Sequence, residues 1–288
     1  MPLSPSETSD LLRKLDHRPN KKLGQNFLID GNLVEKSINM ANLPSGMPVL
    51  EIGPGLGTLT EKLLHAGHPV YAVEIDRRLE AHLSERLAGF IKKKKLDLIR
   101  ADAVKQPIGN ISPEILDYAV VANLPYAISS AWMEGLLSTG KLPHCMVIML
   151  QKEATERILA PSGTKAYNAL AIFLQASFRQ SGLHQVTSQC FYPAPAVASA
   201  LLKLERVDHP FLFCKEARIL IRRIFTQRRK QIGSLLKKEN LEIQQVMSSW
   251  ITRHQLCPTT RPEKIPVHQW IDLGKSLSSR SKSRYPES

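Results

Sequence analysis

The chain has 288 residues, of which 43% are hydrophobic and 23% charged; this excludes a wholly disordered protein and predicts about two domains. It contains no apolar run near the roughly 20 residues of a membrane helix and no recognisable secretory signal, so we expect a cytoplasmic protein without membrane association. The four cysteines are scattered, which argues against a disulfide scaffold or a structural zinc site, and no metal site is predicted. The net charge of +13 is typical of proteins that bind nucleic acids.

The pattern along the chain predicts an α/β domain between two less regular ends. Residues 1–20 are polar and predict a flexible N-terminal arm, with at most one short helix at 10–16. Residues 21–207 alternate short β-rich runs with helices, which predicts a mostly parallel sheet covered by helices on both faces. The predicted strands are 49–52, 70–74, 96–100, 118–122 and 145–150, and the predicted helices are 32–40, 58–65, 76–87, 153–159 and 166–176.

The C-terminal part changes in character near residue 208. Residues 208–276 alternate helical stretches with proline-marked turns and predict a small α-helical domain, whereas the Ser-, Lys- and Arg-rich residues 277–288 predict a disordered basic tail. Residues 215–238 carry nine bases and one acid, with apolar residues at mostly helical spacing. This basic segment is expected to bind RNA phosphates, and a solvated helix face is the alternative. The candidate RNA-binding residues are Arg222, Arg223, Arg228, Arg229 and Lys230.

A glycine-rich loop follows the strand predicted at 49–52. Gly53, Gly55 and Gly57 lie between this strand and a helix, where glycines let a cofactor approach the backbone and the helix offers free amide groups. The third glycine follows the second by two residues rather than three, which departs from the dinucleotide fingerprint. The loop also lacks the Gly-Lys-Ser/Thr ending of a phosphate-binding loop.

Two acids mark the ends of the next two strands. Glu74 follows the glycines by about 20 residues and can accept hydrogen bonds from a ribose diol. Asp102 can accept a hydrogen bond from the amino group of an adenine. Taken alone, Glu74 is equally typical of a solvated strand end. Together with Glu51, Gly53 and Gly55, in order at the strand ends, these acids predict a site for an adenosine-containing cofactor.

The fourth predicted strand runs into Asn123-Leu124-Pro125-Tyr126, which suits methyl transfer to an exocyclic amine. The nitrogen of such an amine is a poor nucleophile because its lone pair is delocalised into the ring. Hydrogen bonds to the Asn123 side-chain oxygen and the Leu124 carbonyl would localise the lone pair, and Pro125 restricts the backbone that aims this carbonyl. Tyr126 can stack on the target base. On its own, the tetrapeptide is also compatible with an ordinary turn.

Taken together, the motifs resemble those of the ribosomal RNA adenine dimethyltransferases, especially the small-subunit (KsgA) type. The matching stretches are Lys22–Leu28, Glu51–Gly57, Glu74–Asp76, Asp102–Ala103, Asn123–Tyr126, Leu150–Glu153, Phe191–Val197 and Phe225–Lys230. The resemblance implies a Rossmann-like methyltransferase domain that binds S-adenosyl-L-methionine. The cofactor contacts that it implies are Asn26, Leu28, Gly53, Glu74, Asp102 and Asn123.

The resemblance also implies a substrate and a way of holding it. The family transfers four methyl groups in total, two to each of two adjacent adenosines near the 3′ end of small-subunit RNA. We therefore expect the partner to be that RNA in a pre-ribosomal small subunit, bound by a monomer. An adenine paired in a helix hides its amine, so the base must be unpaired or extruded, and Tyr126 and Phe191 are expected to flank it. From the residues alone, Phe191 is also compatible with a core anchor beside a proline-rich turn.

Two positions depart from the family pattern, and three other functions compete. Ala198 stands where an acid usually precedes Ser199, and Gly233 stands where Asn is commoner.

A large-subunit methyltransferase would keep the chemistry, but the stretch 150–153 and the long C-terminal domain favour the small subunit. An NAD-dependent dehydrogenase fits the glycine spacing poorly. A ribosome-assembly factor whose main role is binding is compatible with the charge of +13.

Overall fold

The computed structural model describes residues 3–20 and 23–284, so both chain ends and Lys22 of the first matching stretch lie outside the described residues. The chain divides into two compact units, one of residues 1–155 with 179–206 and one of residues 156–178 with those from 207 onward. The strands are β1 (Phe27–Leu28), β2 (Val49–Ile52), β3 (Val70–Glu74), β4 (Leu96–Arg100), β5 (Ala119–Asn123), β6 (Cys145–Gln151), β7 (Phe178–Val186), β8 (Phe191–Tyr192) and β9 (Ser199–Arg206). The helices are α1 (Pro5–Lys14), α2 (Gly31–Ala41), α3 (Thr58–His65), α4 (Arg77–Arg86), α5 (Ala88–Lys92), α6 (Ser129–Ser138), α7 (Lys152–Leu159), α8 (Ala169–Gln175), α9 (Lys215–Thr226), α10 (Ile232–Leu236), α11 (Leu241–Arg253) and α12 (Val267–Arg284).

A seven-stranded sheet in the order β4-β3-β2-β5-β6-β9-β7 forms the centre of the first unit. The strands from β4 to β6 run parallel, and β9 is antiparallel to β6. From β2 the chain adds β3 and then β4 on one side of the sheet, whereas from β5 it adds β6 on the opposite side. The gap between the carboxyl ends of β2 and β5 is therefore a topological switch point, the usual position of a ligand crevice in such sheets.

The sequence pattern of the central strands explains why they form this sheet. All residues of β2 and the first six residues of β6 are buried, as expected of parallel strands covered by helices on both faces. The predicted mostly parallel α/β sheet with a C-terminal helical region is confirmed. The predictions missed α6, β7 and β9. The middle of β7 is almost entirely exposed, so this strand lacks the apolar signal on which they relied.

The N-terminal residues differ from the flexible arm predicted at 1–20. They form α1, whose start is fixed by a capping box in which Ser4 accepts from the Glu7 N–H while the Glu7 side chain accepts from the Ser4 N–H. Leu12 is only 3% exposed and packs in an apolar cluster with residues far along the chain. This contact orders the segment because burial of Leu12 offsets its conformational entropy.

The second unit is a helical cluster around aromatic side chains. The rings of Trp250 and Trp270 lie 5.3 Å apart, and their indole N–H groups donate to the main-chain oxygens of Gln269 and Ile265. Gly233, the position where Asn is commoner in the family, packs tightly on Pro258: a Cβ there would lie 3.0 Å from the Pro258 Cβ, so a side chain would require Pro258 to shift by a few tenths of an ångström. No helix in the described ranges is long and apolar enough to cross a membrane.

Two predicted domain boundaries need correction. Residues 156–178 were assigned to the domain at 21–207, but α8 packs on α9 and α12, which places this segment in the second unit. The tail predicted to be disordered at 277–288 continues α12 as far as Arg284, and Leu277 is buried. Residues 285–288 lie outside the described residues.

Substitutions at Gly57 and Gly67 distinguish two costs of adding a side chain, the strain of a left-handed backbone and the lack of space for a Cβ. Both have positive φ, +79° and +90°, but a Cβ at Gly57 would lie 2.4 Å from the Cδ2 of the fully buried Leu83, whereas nothing lies within 4 Å at Gly67. We expect each Ala variant to lose about 1–2 kcal/mol from left-handed strain, and Gly57→Ala a further 1–3 kcal/mol or so from overpacking. Urea unfolding measures both, and equal losses would show that Leu83 moves aside freely.

Candidate functional site

A pocket opens at the carboxyl ends of β2, β3 and β5, beside the switch point, where ligand sites of such sheets usually lie. The wall is made by the loops that follow these strands, together with the segment that leads into β1 and β1 itself. The predicted residues that line it are Asn26, Leu28, Gly53, Gly55, Glu74, Asp102, Asn123, Leu124, Pro125 and Tyr126.

Gly53 brings the loop after β2 into contact with the loop after β5. Its φ of +68° is left-handed, and a Cβ at this position would lie 2.8 Å from the Cγ of Pro125. A larger residue would therefore push apart the glycine-rich loop and the Asn123–Tyr126 loop. The absence of a side chain at Gly53 is what allows the predicted cofactor residues and the predicted catalytic residues to share one pocket.

Glu74 is held as an acceptor at the end of β3. It is 4% exposed, and its two carboxylate oxygens accept from the N–H groups of Gly55 at 3.1 Å and Asp76 at 2.9 Å. Burial raises the pKa of Glu74, while both hydrogen bonds oppose this rise. Asp102, at the end of β4, accepts from the Val104 N–H at 2.9 Å and also faces the pocket.

Glu51, in the middle of β2, is the most unusual group in the pocket wall. It is 2% exposed, and its Oε2 has no hydrogen-bond partner in the part of the chain that the structure describes. Burial raises the pKa of Glu51 to about 8; the neighbouring Thr60 hydroxyl opposes this rise, and the nearby Glu74 adds to it. A buried polar atom is normally satisfied, so an unsatisfied acceptor at a pocket suits a ligand that brings a donor or a positive charge. Sequence analysis assigned Glu51 no separate role, because its burial depends on the folded sheet.

The Asn123–Tyr126 loop is anchored at two side chains. The Asn123 amide group donates from Nδ2 to the main-chain oxygen of Asn26 at 2.9 Å, so the side-chain oxygen remains the acceptor. The Tyr126 hydroxyl lies 2.5 Å from the hydroxyl of Ser199, which is 1% exposed at the start of β9. Burial raises the pKa of Tyr126, so this ring stays an uncharged phenol at neutral pH. Sequence analysis did not find Ser199 as a partner, because 73 residues separate it from Tyr126.

Phe191 does not join these residues. It is 2% exposed, belongs to the apolar core of the first unit, and lies in β8, opposite Leu28 of β1. It is not among the residues that line the pocket. Phe191 thus lies in the apolar core, the position of the alternative interpretation, and outside the lining of the pocket.

The five basic residues predicted to bind RNA lie on α9 and the turn after it, within the second unit. Some of them have partners inside the protein. Arg223 pairs with Glu239, and Arg228 donates to the main-chain oxygen of Lys165. The guanidinium of Arg222 lies 5.9 Å from the centre of the Phe173 ring. The exposed members of the group are Arg222, Arg223, Arg229 and Lys230.

Comparisons with known proteins identify the family. The family model for ribosomal RNA adenine dimethylase matches residues 16–279. The chain belongs to this family. A ribosomal RNA small subunit methyltransferase A from Opitutus terrae is 46% identical over 277 residues, which cover 95% of this chain and 98% of that protein.

Solved structures agree with this assignment. A dimethyladenosine transferase from Plasmodium falciparum has a TM-score of 0.68 at 26% identity and covers 88% of this chain and 98% of its own. The 23S rRNA methyltransferase ErmE has a TM-score of 0.62 at 25% identity and covers 88% of this chain and all of its own, 100%. The predicted resemblance is confirmed, and with it the class of enzyme, an RNA methyltransferase that uses S-adenosylmethionine.

The residues of the pocket fit this cofactor. The glycines of the loop leave the space that side chains would fill, and two carboxylates at strand ends offer acceptors to an adenosine. The unsatisfied Oε2 of Glu51 suits a cofactor that carries positive charge on a sulfonium and an ammonium group. Each of these features lies within the first unit.

Glu51 makes the stability of the free protein depend on pH. The folded-state pKa of about 8 lies above the roughly 4.3 of an unfolded glutamate, so stability present below pH ~4.3 is lost as the pH rises toward 8. Glu51→Gln removes this titration. We expect the wild-type unfolding free energy to fall relative to the variant by up to about 1.4 kcal/mol per pH unit between pH 5 and 8.

Urea unfolding of the cofactor-free protein at several pH values tests this expectation. Glu114→Gln, at an exposed glutamate of the same unit, is the control and should follow the wild type. If the unfolding free energies of Glu51→Gln and the wild type change in parallel with pH, Glu51 does not titrate between pH 5 and 8 and its folded-state pKa is not raised.

Ser199 is expected to orient the Tyr126 ring. Ser199→Ala and Tyr126→Phe both remove the hydrogen bond between them, and we expect each to lower kcat by about tenfold because the stacking ring loses its fixed position. The double variant should lose little more than either single one, since both changes remove the same contact. KM for S-adenosylmethionine should stay within twofold or so. Ser130→Ala, at an exposed position on α6, is the control; fully additive losses would mean that the two hydroxyls act separately.

Proposed function

We propose that the enzyme dimethylates the N6 amines of two adjacent adenosines near the 3′ end of small-subunit (16S) ribosomal RNA. The observation that carries this proposal is the shared pocket, in which Asn123 lines the same space as Glu51 and Glu74. The choice of RNA follows the name of the Opitutus terrae relative, which is 46% identical, whereas the 23S enzyme ErmE is 25% identical.

The cofactor side of the pocket is assigned by the chemistry of its groups. Glu74 accepts from the ribose diol, and Asp102 accepts from the adenine amino group. Glu51 pairs with the cofactor's ammonium group, which offsets the cost of its buried carboxylate. Gly53 and Gly55 allow the cofactor to approach the backbone. Asn26 and Leu28 complete the wall on the β1 side.

When bound, S-adenosylmethionine supplies a methyl group made electrophilic by its sulfonium. The protein makes the target nitrogen able to accept it. In the first transfer, Asn123 Oδ1 and the Leu124 carbonyl would accept hydrogen bonds from the two N–H groups of the amine, which favours a tetrahedral nitrogen with a localised lone pair. As the nitrogen gains the methyl group, the sulfonium would leave as a neutral thioether and the nitrogen would lose one proton to solvent. In the second transfer the one remaining N–H would keep one of these two contacts. The bond from Asn123 Nδ2 to Asn26 fixes the carboxamide, so the acceptor faces the amine. Fixing the amine in line with the methyl group is the largest contribution, since orientation is worth up to roughly 7–11 kcal/mol.

The target adenine stacks on Tyr126 in this proposal. Base–aromatic stacking is worth about 1–3 kcal/mol per base, enough to offset much of the cost of extruding an adenine. We assign Phe191 to supporting β8 and β1 from the core, because its ring is buried. The tetrapeptide thus provides both the acceptors and the stacking surface.

The second unit is proposed to bind RNA phosphates through the exposed bases of α9 and the turn after it. Arg229 and Lys230 are the strongest candidates, since both are exposed, whereas Arg223 pairs with Glu239 and Arg222 lies over the Phe173 ring. Their contribution is expected to weaken steeply with salt. We further propose that the enzyme acts as a cytoplasmic monomer on a pre-ribosomal small subunit.

The central test is methyl transfer from labelled S-adenosylmethionine to unmodified small subunits and, in parallel, to unmodified large subunits. We expect dimethyladenosine at two adjacent positions of 16S RNA, mapped by mass spectrometry. Asn123→Ala should lower kcat by about 100-fold or more, by analogy with the loss of one preorganised polar contact. Glu114→Gln is the control and should leave the rate unchanged.

Two other outcomes of this experiment would assign the protein a different function. Modification of 23S RNA alone would assign the enzyme to the large-subunit type. If small subunits bound the protein tightly but received no methyl group, the chain would act mainly as an assembly factor. Growth of cells carrying Asn123→Ala separates the two roles, because a binding role survives this change and a catalytic role does not.

A further inference from the structure

Helix α1 packs on the back of the cofactor pocket. Leu12 of this helix lies in an apolar cluster with Phe27, Leu56 and Leu79, and Leu11 and Leu15 pack against the same cluster. Phe27, Leu56 and Leu79 also line the pocket. Three side chains therefore contact α1 on one side and form the pocket wall on the other.

A polar contact joins the end of this segment to the same wall. His17 is buried, and its Nε2 lies 3.0 Å from the Oε1 of Gln25, while its Nδ1 lies 3.7 Å from the Oδ2 of Asp76. Gln25 also accepts from the Asn20 N–H at 2.8 Å and donates to Asp76 at 3.4 Å. His17, Asn20 and Gln25 are thereby tied to the loop that follows β3.

This loop carries the acid assigned to the ribose. The Asp76 N–H donates to Glu74 Oε1 at 2.9 Å, and the Asp76 side chain caps α4 by accepting from the N–H groups of Arg78 and Leu79. Arg78 in turn pairs with Asp16 at 3.0 Å. A displacement of His17 would therefore be transmitted to Glu74 through Asp76, without direct contact between His17 and the cofactor.

We propose that residues 5–20, here called the N-terminal strap, position the pocket wall that holds the cofactor's adenosine. Leu12 acts through the apolar cluster, and His17 acts through Gln25 and Asp76. Both are positioning residues, since neither lines the pocket itself. The inference rests on the proposed function, because it assumes that this pocket binds S-adenosylmethionine.

The strap offers two variants that weaken it in different ways. Leu12→Ala removes apolar contact with the wall. His17→Phe keeps a ring of similar shape beside Phe27, 6.3 Å away between ring centres, but removes both ring nitrogens. His17→Gln keeps a polar donor and should restore most of what His17→Phe loses. The controls are Leu116→Ala and His184→Phe, at exposed positions of the same unit.

The experiment measures the Kd of S-adenosylhomocysteine by calorimetry with the full chain, and kinetics on small subunits. We expect Leu12→Ala and His17→Phe each to raise the Kd, and KM for S-adenosylmethionine, by about tenfold, the equivalent of losing roughly 1.4 kcal/mol of binding. kcat at saturating cofactor and KM for the small subunit should stay within twofold or so of the wild type. A purely structural role would instead lower the melting temperature and leave the Kd unchanged.

Two outcomes separate the failure of this inference from the failure of the proposed function. If the wild type binds S-adenosylhomocysteine and both folded variants bind it equally well, the strap does not position the wall. If the wild type binds neither S-adenosylhomocysteine nor S-adenosylmethionine, the proposed function fails first. Should Leu12→Ala not fold, His17→Phe decides, because it leaves the apolar cluster intact.

Discussion

The site depends on the contact between two loops at the switch point of the sheet. β2 and β5 are neighbours whose chains leave in opposite directions, so their carboxyl ends leave a crevice between them. Gly53 at the end of β2 has no Cβ, and Pro125 after β5 occupies the space that one would fill. The glycine-rich loop and the Asn123–Tyr126 loop therefore meet in one pocket, and the main-chain oxygen of Asn26 holds the carboxamide of Asn123.

Buried acids give this pocket its electrostatic character. Glu51 and Glu74 are both nearly inaccessible, and burial raises the pKa of each. Two such groups destabilise the free protein wherever they are charged, and a cationic ligand relieves part of that cost. The Oε2 of Glu51, which lies near the Thr60 hydroxyl but has no hydrogen-bond partner within the described residues, suits a ligand that brings positive charge. The affinity for a cationic ligand that we propose and the pH dependence of stability that we expect would both follow from the burial of Glu51 and Glu74.

The basic residues of the second unit differ in how freely they can meet a polyanion. The bonds of Arg223 to Glu239 and of Arg228 to a main-chain oxygen hold α9 and its turn in place. Arg229 and Lys230 follow in the same turn and are exposed. A phosphate bound at these positions, as we propose, would meet side chains on a backbone that these two bonds already hold, which would lower the entropy lost on binding.

The sequence by itself determined the elements and spacings that depend on neighbouring residues. Strands such as Val70–Glu74, the positions of Gly53 and Gly55, and the acids after each strand follow from local periodicity and turn chemistry. Only the tertiary structure decided that Leu12 is buried, that Phe191 lies in the core, and that Tyr126 meets Ser199. These outcomes depend on contacts between residues tens of positions apart or more, because burial is a property of packed surfaces and no local pattern encodes which distant surface will cover a side chain.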